Sequence, residues 1–456
     1  MADMIRKTLQ KMPPAWLVIF SYLAAAFIGT ILLSLPAASE GEPLGLIDAL
    51  FTATSGICVT GLIVVDTGTQ LTVFGKTVLL VLIQMGGLGV MTFSVFLFIF
   101  LGRGMGLRGR WIITESFTAT PQKDIKSLLR AIFIFTFVVE AIGTGLLYLF
   151  WRRSMSPPGA LFTSLFHSIS AFCNAGFSFF SSSFIEYRGS ALLNLTVMTL
   201  IVVGGVGFPV MYQLAERVRY RERYRRRPLS LHVRMVLWTT ALLIASGGIL
   251  IFLLERGHAL RALPWHEKLF TALFQSITAR TAGFNTLDIP QLGGATLFIL
   301  IMLMFVGASP GSCGGGIKTT SLAIMGAILR NKIQGKTSVN IFHRTLPEET
   351  VSRALSIFIL AVVTITAGLI ILLITQMGAA YPSKEYFLAY LFEAVSAFGT
   401  VGLSMGVTPT LSSAGKIVII VLMLLGRVGL LTVAYVVTRR ERLTLFRYAE
   451  EKVMIG

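Results

Sequence analysis

Residues 390–403, YLFEAVSAFGTVGL, read as a helical stretch that ends in a glycine turn, and the chain carries this passage four times. The other copies are residues 49–62, ALFTATSGICVTGL, residues 164–177, SLFHSISAFCNAGF, and residues 272–284, ALFQSITARTAGF. Each opens with Leu-Phe, passes a Ser or Thr, and closes with Gly followed by Leu or Phe. The closing glycines are Gly61, Gly176, Gly283 and Gly402. From the opening Phe to that Gly is ten residues in copies one, two and four, and nine in copy three; successive glycines are 115, 107 and 119 residues apart. Self-similarity in register is the mark of a repeat architecture, and it is the first thing to settle.

Long apolar stretches precede and follow every copy. Residues 16–35, 73–101, 192–214, 233–254 and 351–374 approach or exceed the ~20 residues that a membrane-crossing helix needs. The first is long, follows Pro13 and Pro14, and lacks a small-residue cleavage site, so it reads as a retained helix rather than a signal peptide. The repeated passage itself offers only about 10–12 helix-compatible residues, too few to span. Extended chain at membrane depth survives only where protein shields it or where it lines water. The unit is therefore helix, short re-entrant half-helix, extended loop, helix. The expected fold is an all-α integral membrane protein with eight transmembrane helices and four re-entrant pore loops around a central pore. The spans fall near 15–37, 73–101, 129–151, 190–214, 233–254, 292–329, 351–376 and 412–437. Residues 1–101 form repeat one, 102–215 repeat two, 216–330 repeat three, and 331–456 repeat four with a cytoplasmic C-terminal tail.

Composition agrees. Of 456 residues, 54% are hydrophobic and only 13% charged, and the mean hydropathy is +0.78; a soluble chain carries about twice that charge. The net charge of +18 would suggest nucleic acid on a soluble protein. Here 27 of the 39 Lys and Arg fall in five segments of one side: the N-terminus and residues 102–130, 213–235, 328–353 and 438–456. That asymmetry puts both termini in the cytoplasm and binds the inner face to lipid headgroups rather than to nucleic acid. The densest run, residues 217–227, reads as a topology anchor or a protein-docking surface. Three scattered cysteines, Cys58, Cys173 and Cys313, and five histidines without ligand spacing offer no disulfide framework and no metal site.

The four loops in register, with residues 65–76, 84–90, 168–178, 280–286, 399–407 and 426–430, resemble the Trk/Ktr/HKT superfamily of potassium transporters, most closely its bacterial Ktr-type membrane subunit, over nearly the whole chain. The resemblance implies potassium uptake across the bacterial cytoplasmic membrane, driven by the membrane potential and activated by sodium. It also implies a homodimer with one pore per subunit and a cytoplasmic ring of nucleotide-binding regulatory subunits of the RCK type. No GxGxxG occurs in a strand–turn–helix setting, so a nucleotide sensor is expected on a separate chain. No cofactor is expected beyond the transported potassium and the activating sodium.

A dehydrated potassium ion needs fixed oxygens in place of its water shell, and backbone carbonyls supply them without net charge. Turning successive carbonyls to one side takes dihedrals that glycine tolerates and most residues resist. The expected filter is therefore Val59, Thr60 and Gly61, Asn174, Ala175 and Gly176, Thr281, Ala282 and Gly283, and Thr400, Val401 and Gly402. No copy has the Thr-Val-Gly-Tyr-Gly signature of potassium channels, which implies weaker selectivity. Cys58 and Cys173 read as lying beside the ion path, open to thiol reagents from outside.

The gate reads from the second helix of copy three. Gly307, Ala308, Ser309, Pro310, Gly311, Ser312, Cys313, Gly314, Gly315 and Gly316 hold five glycines and a proline, and a helix is not sustained there, since Gly costs about 1 and Pro about 3 kcal/mol relative to Ala. The segment begins 24 residues after Gly283, just below the narrow passage, and the resemblance implies an intramembrane loop over 307–318 that closes the pore from inside. Lys318 either snorkels inward or pairs locally. Arg427 falls where the other copies have Gly87, Gly205 and Ala308; facing the pore it would repel a cation and hold the loop by its carbonyls. His167, Gln275 and Glu393, with Thr52, follow the Leu-Phe pairs and brace the half-helices. Glu140, inside a span, makes an interhelical hydrogen bond or is protonated. A sodium-coupled secondary transporter of a small solute is the alternative; it calls for inverted repeats with breaks at matching places in two halves, whereas four parallel copies with one break are read here. A membrane-embedded enzyme would need clustered nucleophile, acid–base or metal residues at membrane depth, which the sequence lacks.

Overall fold

The computed structural model describes residues 14–88, 125–219, 228–376, 384–430 and 432, nearly all of them helix or short connection. Helices run α1 (Pro14–Leu33), α2 (Leu46–Ile57), α3 (Val73–Gly87), α4 (Ile125–Trp151), α5 (Pro157–Phe172), α6 (Ala191–Val206), α7 (Phe208–Arg219), α8 (Leu231–Glu255), α9 (Trp265–Thr278), α10 (Gly294–Phe305), α11 (Thr319–Ile333), α12 (Glu348–Thr375), α13 (Lys384–Gly399) and α14 (Ser413–Val428). A two-stranded hairpin, β1 (Asn340–Ile341) and β2 (Arg344–Thr345), joins α11 to α12. The basic segments at 1–13, 102–124, 220–227 and 433–456, and the second half of the span expected at 73–101, lie outside the described residues.

The helices start where local chemistry says they should. Thr72, Ser190, Ser230 and Ser412 accept from backbone N–H groups three residues on, capping α3, α6, α8 and α14. Each such cap is worth about 1 kcal/mol. α5 opens on Pro157 and Pro158, whose missing N–H groups cost nothing in a first turn.

Packing sorts the helices into four triplets, each with a short middle helix. α1, α2 and α3 contact one another, as do α4, α5 and α6 and likewise α12, α13 and α14; α8 contacts both α9 and α10. The short helices α2, α5, α9 and α13 have 12, 16, 14 and 16 residues. The last helix of each triplet then meets the short helix of the next: α3 on α5, α6 on α9, α10 on α13, and α14 back on α2. The circle closes, and a 2.6 Å ion pair from Lys416 in α14 to Asp48 in α2 ties the end of the chain to its beginning.

Small residues permit this closeness. A β-carbon added to Gly86, Gly204 or Gly426 would stand 2.1, 1.8 and 1.8 Å from the carbonyl oxygens of Ile57, Phe172 and Phe398, at the ends of α2, α5 and α13. Around the ring the apolar core is continuous with buried aromatics: Phe51, Phe166, Phe172, Phe274, Phe284, Phe392 and Phe398 are sealed. The Phe of each Leu-Phe pair is among them, so these pairs seat the short helices.

Among the described residues, three helices are long and apolar enough to cross a membrane: Arg130–Trp151, Leu231–Glu255 and Glu348–Thr375. α6 and α7 would make a fourth, but they bend by 101° at Gly207. This corrects the expectation of a straight span over 190–214 and of a single broken helix. Gly207 takes φ 98°, open only to glycine, and Pro209 brings no N–H to continue the upstream helix. The span expected at 292–329 is broken, as foreseen, between Phe305 and Thr319.

These contacts predict opposite outcomes for two helical glycines. Gly326→Ala, with nothing within 4 Å of the new methyl, should raise thermal stability in detergent, since Ala favours helix by about 1 kcal/mol. Gly204→Ala should lower it by about 1–3 kcal/mol through overpacking. Equal shifts in the two melting temperatures would refute the close approach.

Candidate functional site: a ring of four glycine turns over an intramembrane loop

Each short helix ends in the same backbone device. Val59, Asn174, Thr281 and Thr400 have φ of 56, 60, 79 and 51°, and two residues later Gly61, Gly176, Gly283 and Gly402 have φ of 88, 70, 81 and 92°. Alternating the sign of φ along a short stretch lets successive carbonyls face one side. A β-branched residue at positive φ is a true outlier, and such strain of about 1–3 kcal/mol persists only where surroundings over-determine it. The sequence pointed to the glycines; it gave no sign that Val59, Thr281 and Thr400 would be strained.

Side chains sew each turn. Ser55 Oγ accepts from Gly61 N at 3.1 Å and donates to Leu62 O at 2.7 Å. Ser170 and Thr278 donate to Phe177 O and Phe284 O at 2.9 and 2.8 Å, and Ser396 accepts from Gly402 N at 3.1 Å. The motif's Ser or Thr was legible, but its role was not. The carbonyl of the same residue accepts from the N–H five residues on in three copies (Thr60, Ala175, Val401) and four on in copy three (Ala282). The missing residue of copy three is absorbed inside the turn, and its glycine stays in register.

The four turns meet. A β-carbon on Gly61 would lie 2.3 Å from Ala175 O, on Gly176 2.6 Å from Ala282 O, on Gly283 2.4 Å from Val401 O, and on Gly402 2.1 Å from Thr60 O. Every glycine thus abuts the carbonyl before the next glycine, and the sequence 61, 176, 283, 402 returns to 61. A ring of uncharged main-chain oxygens has the chemistry to replace the hydration shell of a monovalent cation.

Residues 306–318 pack against two of these turns and against the last helices behind them. Gly315 N donates to Thr400 Oγ1 at 2.9 Å, and a β-carbon on Gly314 would stand 2.3 Å from Thr281 Oγ1. Ser309 N and Cys313 N donate to Gly205 O and Gly204 O at 3.0 and 3.2 Å, and Phe208 N donates to Gly311 O at 3.0 Å. Inside the segment Ser312 Oγ donates to Ser309 O at 2.6 Å, and Thr319 Oγ1 to Ser309 Oγ at 2.9 Å. Thr319 N reaches Ala308 O across the loop's neck at 3.4 Å. Pro310 and Gly311 sit at the bend of α6 and α7, where a β-carbon on Gly207 would be 2.6 Å from Pro310 O. A β-carbon on Gly307 would lie 2.2 Å from Gly315 O, so the loop folds back on itself, and Gly316 N donates to Gly426 O at 3.4 Å.

Two cations hold these carbonyls. Arg427, 8% exposed, donates from Nη1 to Cys313 O and from Nη2 to Gly86 O, bridging the loop to α3. Lys318 Nζ pairs locally, donating to Gly314 O at 2.8 Å and Gly315 O at 3.4 Å. In the amide orientation that satisfies both ends, Asn174 donates to Ala171 O and Ile201 O and accepts from Thr281 Oγ1 at 3.1 Å, linking turns two and three.

The bracing residues divide. His167 joins Thr163 O to Ser178 Oγ, and Glu393 accepts from Ser404 Oγ, Met405 N and Thr408 Oγ1, so both hold the stretch after the glycine. Gln275 is buried and its side-chain amide finds no partner among the described residues. Glu140 accepts from Gln84 Nε2 at 3.3 Å, the interhelical bond that sequence reading offered as one of its two options. Cys58 and Cys173 are corrected. They are 0% and 1% exposed, and the Cys173 thiol points to Gln84 and Glu140 at 4.0 and 3.9 Å. Each caps its short helix just before the turn, and what is corrected is its openness to a reagent from outside: both are buried, Cys173 beside Cys313 of the intramembrane segment and Cys58 near Arg427. Arg280, buried beside Thr281, was missed; comparing the four copies column by column would have found it.

With this geometry in view the chain can be compared with known proteins. The family profile described as "TrkH: Cation transport protein" matches residues 7–444. The "Ktr system potassium uptake protein B" of Bacillus subtilis (strain 168) is 38% identical over 100% of this chain and 99% of its own length. The "Potassium/sodium uptake protein NtpJ" of Enterococcus hirae is 34% identical over 100% of both. Among solved structures, the potassium transporter TrkH from Vibrio parahaemolyticus superimposes with a TM-score of 0.72 at 20% identity, covering 93% of this chain and 85% of that one, which speaks for the fold alone. The chain belongs to the TrkH family of cation transport proteins, a family of ion transporters and not of enzymes.

Proposed function

We propose that this protein takes up potassium across the bacterial cytoplasmic membrane through a gated pore on the axis of the four glycine turns. The observation that carries the reading is the closed circle in which each glycine abuts the carbonyl preceding the next. In this reading the four triplets are repeats over 1–101, 102–215, 216–330 and 331–456. Their long or paired helices make eight spans, the short helices are re-entrant, and both termini are cytoplasmic. The carbonyls of Val59, Thr60 and Gly61 and their counterparts in the other three copies replace water around the ion. The short helices direct C-terminal ends, each with about half a negative charge, at the same point.

Residues 307–318 are the gate, and Arg427 and Lys318 are its latches. In this reading conduction requires Gly314 and Gly315 to leave the turns, and the guanidinium opposes that by binding a loop carbonyl and a helix carbonyl together. The names of the full-length relatives support potassium as cargo, with sodium as a second cargo, and a place in a multi-component system. In this reading sodium activates the pore, and the chain is a homodimer seated on a cytoplasmic ring of nucleotide-binding subunits. A sodium-coupled transporter of a small organic solute fits less well, because the described ring encloses carbonyls too closely for a larger molecule.

Rubidium uptake into proteoliposomes tests the assignment. Gly283→Ser and Gly402→Ser put a side chain on a left-handed glycine within 2.4 and 2.1 Å of a neighbouring carbonyl, and should cut uptake at least ~10-fold at unchanged expression. Wild-type rates in both would place the pathway elsewhere. Arg427→Ala frees the loop and should raise uptake several-fold. An unaltered rate in a well-expressed Arg427→Ala protein would remove the arginine from the gate.

A further inference from the structure

One column of the four turns differs in charge, and the gate and filter do not use it. The residue just before the first positive-φ position is Cys58, Cys173 and Gly399 in turns one, two and four, and Arg280 in turn three. Arg280 is 7% exposed. Its Nη1 donates to Thr240 O of α8 at 3.5 Å, a long bond, and its Nε has no partner among the described residues. None of the ion pairs among the described residues includes it. Its bond to α8 puts the guanidinium behind the turn, beside the end of α9 at Thr278.

A buried, unpaired cation at membrane depth is costly and calls for a functional reason. The end of α9 carries the partial negative charge of the helix, and a cation there offsets it. At the same column the other short helices carry the neutral Cys58, Cys173 and Gly399.

We propose that Arg280 sets the affinity of the pore for its cation by neutralising the helix-end charge of the third turn. The third sector then attracts the ion less than it would with a neutral residue at that column, weakly enough to let the ion go inward. This rests on the reading of the ring as the ion site. Arg280 is a positioning residue of the electrostatic field and touches no ion itself.

The test is rubidium uptake by full-length protein in liposomes, measured against rubidium concentration for wild type, Arg280→Met and Arg280→Lys. Removing a unit charge roughly 10 Å away at an effective dielectric constant of roughly 20 changes binding about tenfold. Arg280→Met should therefore lower the half-saturating concentration about tenfold with a reduced maximal rate, while Arg280→Lys, which keeps the charge, should stay near wild type. Arg280→Cys, with the residue of the first two turns, carries the same expectation as Met should the latter not fold. The proposal is overturned if Met and Lys leave half-saturation alike, or if every neutral variant fails to fold while Lys folds, which would make the residue structural. A wild-type protein that takes up no rubidium defeats the pore reading instead, before Arg280 is reached.

Discussion

The structure depends on backbone meeting backbone without a side chain between. At four places a glycine Cα lies against the carbonyl of the neighbouring turn, closer than any β-carbon could stand. Three further glycines, Gly86, Gly204 and Gly426, let the last helix of a triplet touch the terminal carbonyl of its short helix. Carbonyl oxygens crowded this way repel one another. The arrangement holds because the turns are sewn by Ser55, Ser170, Thr278 and Ser396, and because the Phe of each Leu-Phe pair is buried in an apolar cluster beside them.

The same crowding explains the intramembrane segment. A helix continued through residues 306–318 would carry side chains outward on every face into space the turns already fill. Glycine allows the chain to double back, and its freed N–H and C=O groups are satisfied by neighbours: Gly204, Gly205, Gly426, Thr400 and the two cations. In a medium without water an irregular segment survives only with such partners. A lysine and an arginine are suited to this because they donate several bonds to oxygens that no N–H reaches.

Copy three is the irregular member of the set. It has the shortened turn, the second helix interrupted by the whole of residues 306–318, the buried Arg280, and Gln275 with no side-chain partner among the described residues. Copies two and four instead brace the stretch after the glycine with His167 and Glu393. The fourfold likeness is thus kept where backbone must match backbone and relaxed in the third sector.

The repeat, its register and the break at Gly307–Gly316 were legible in the chain, because hydrophobic length and glycine placement act locally and leave a periodic trace. The special positions of Arg427 and Lys318 were legible for a similar reason: a cation inside an apolar run is conspicuous. Partnership was not. That Arg427 spans Cys313 and Gly86 joins residues 114 and 341 positions away, and no local signal encodes such a pairing. The bend at Gly207 escaped notice since one glycine before Phe-Pro looks like an ordinary span, and only the approach of Pro310 and Gly311 gives the bend its use. Cys58 and Cys173 were read as open to reagents from outside, whereas packing around the ends of the short helices buries both. The chain alone determined the pieces and their count, through length, polarity and glycine; the tertiary structure decided how they meet, because the contacts that close the ring are between main-chain atoms that every sequence possesses.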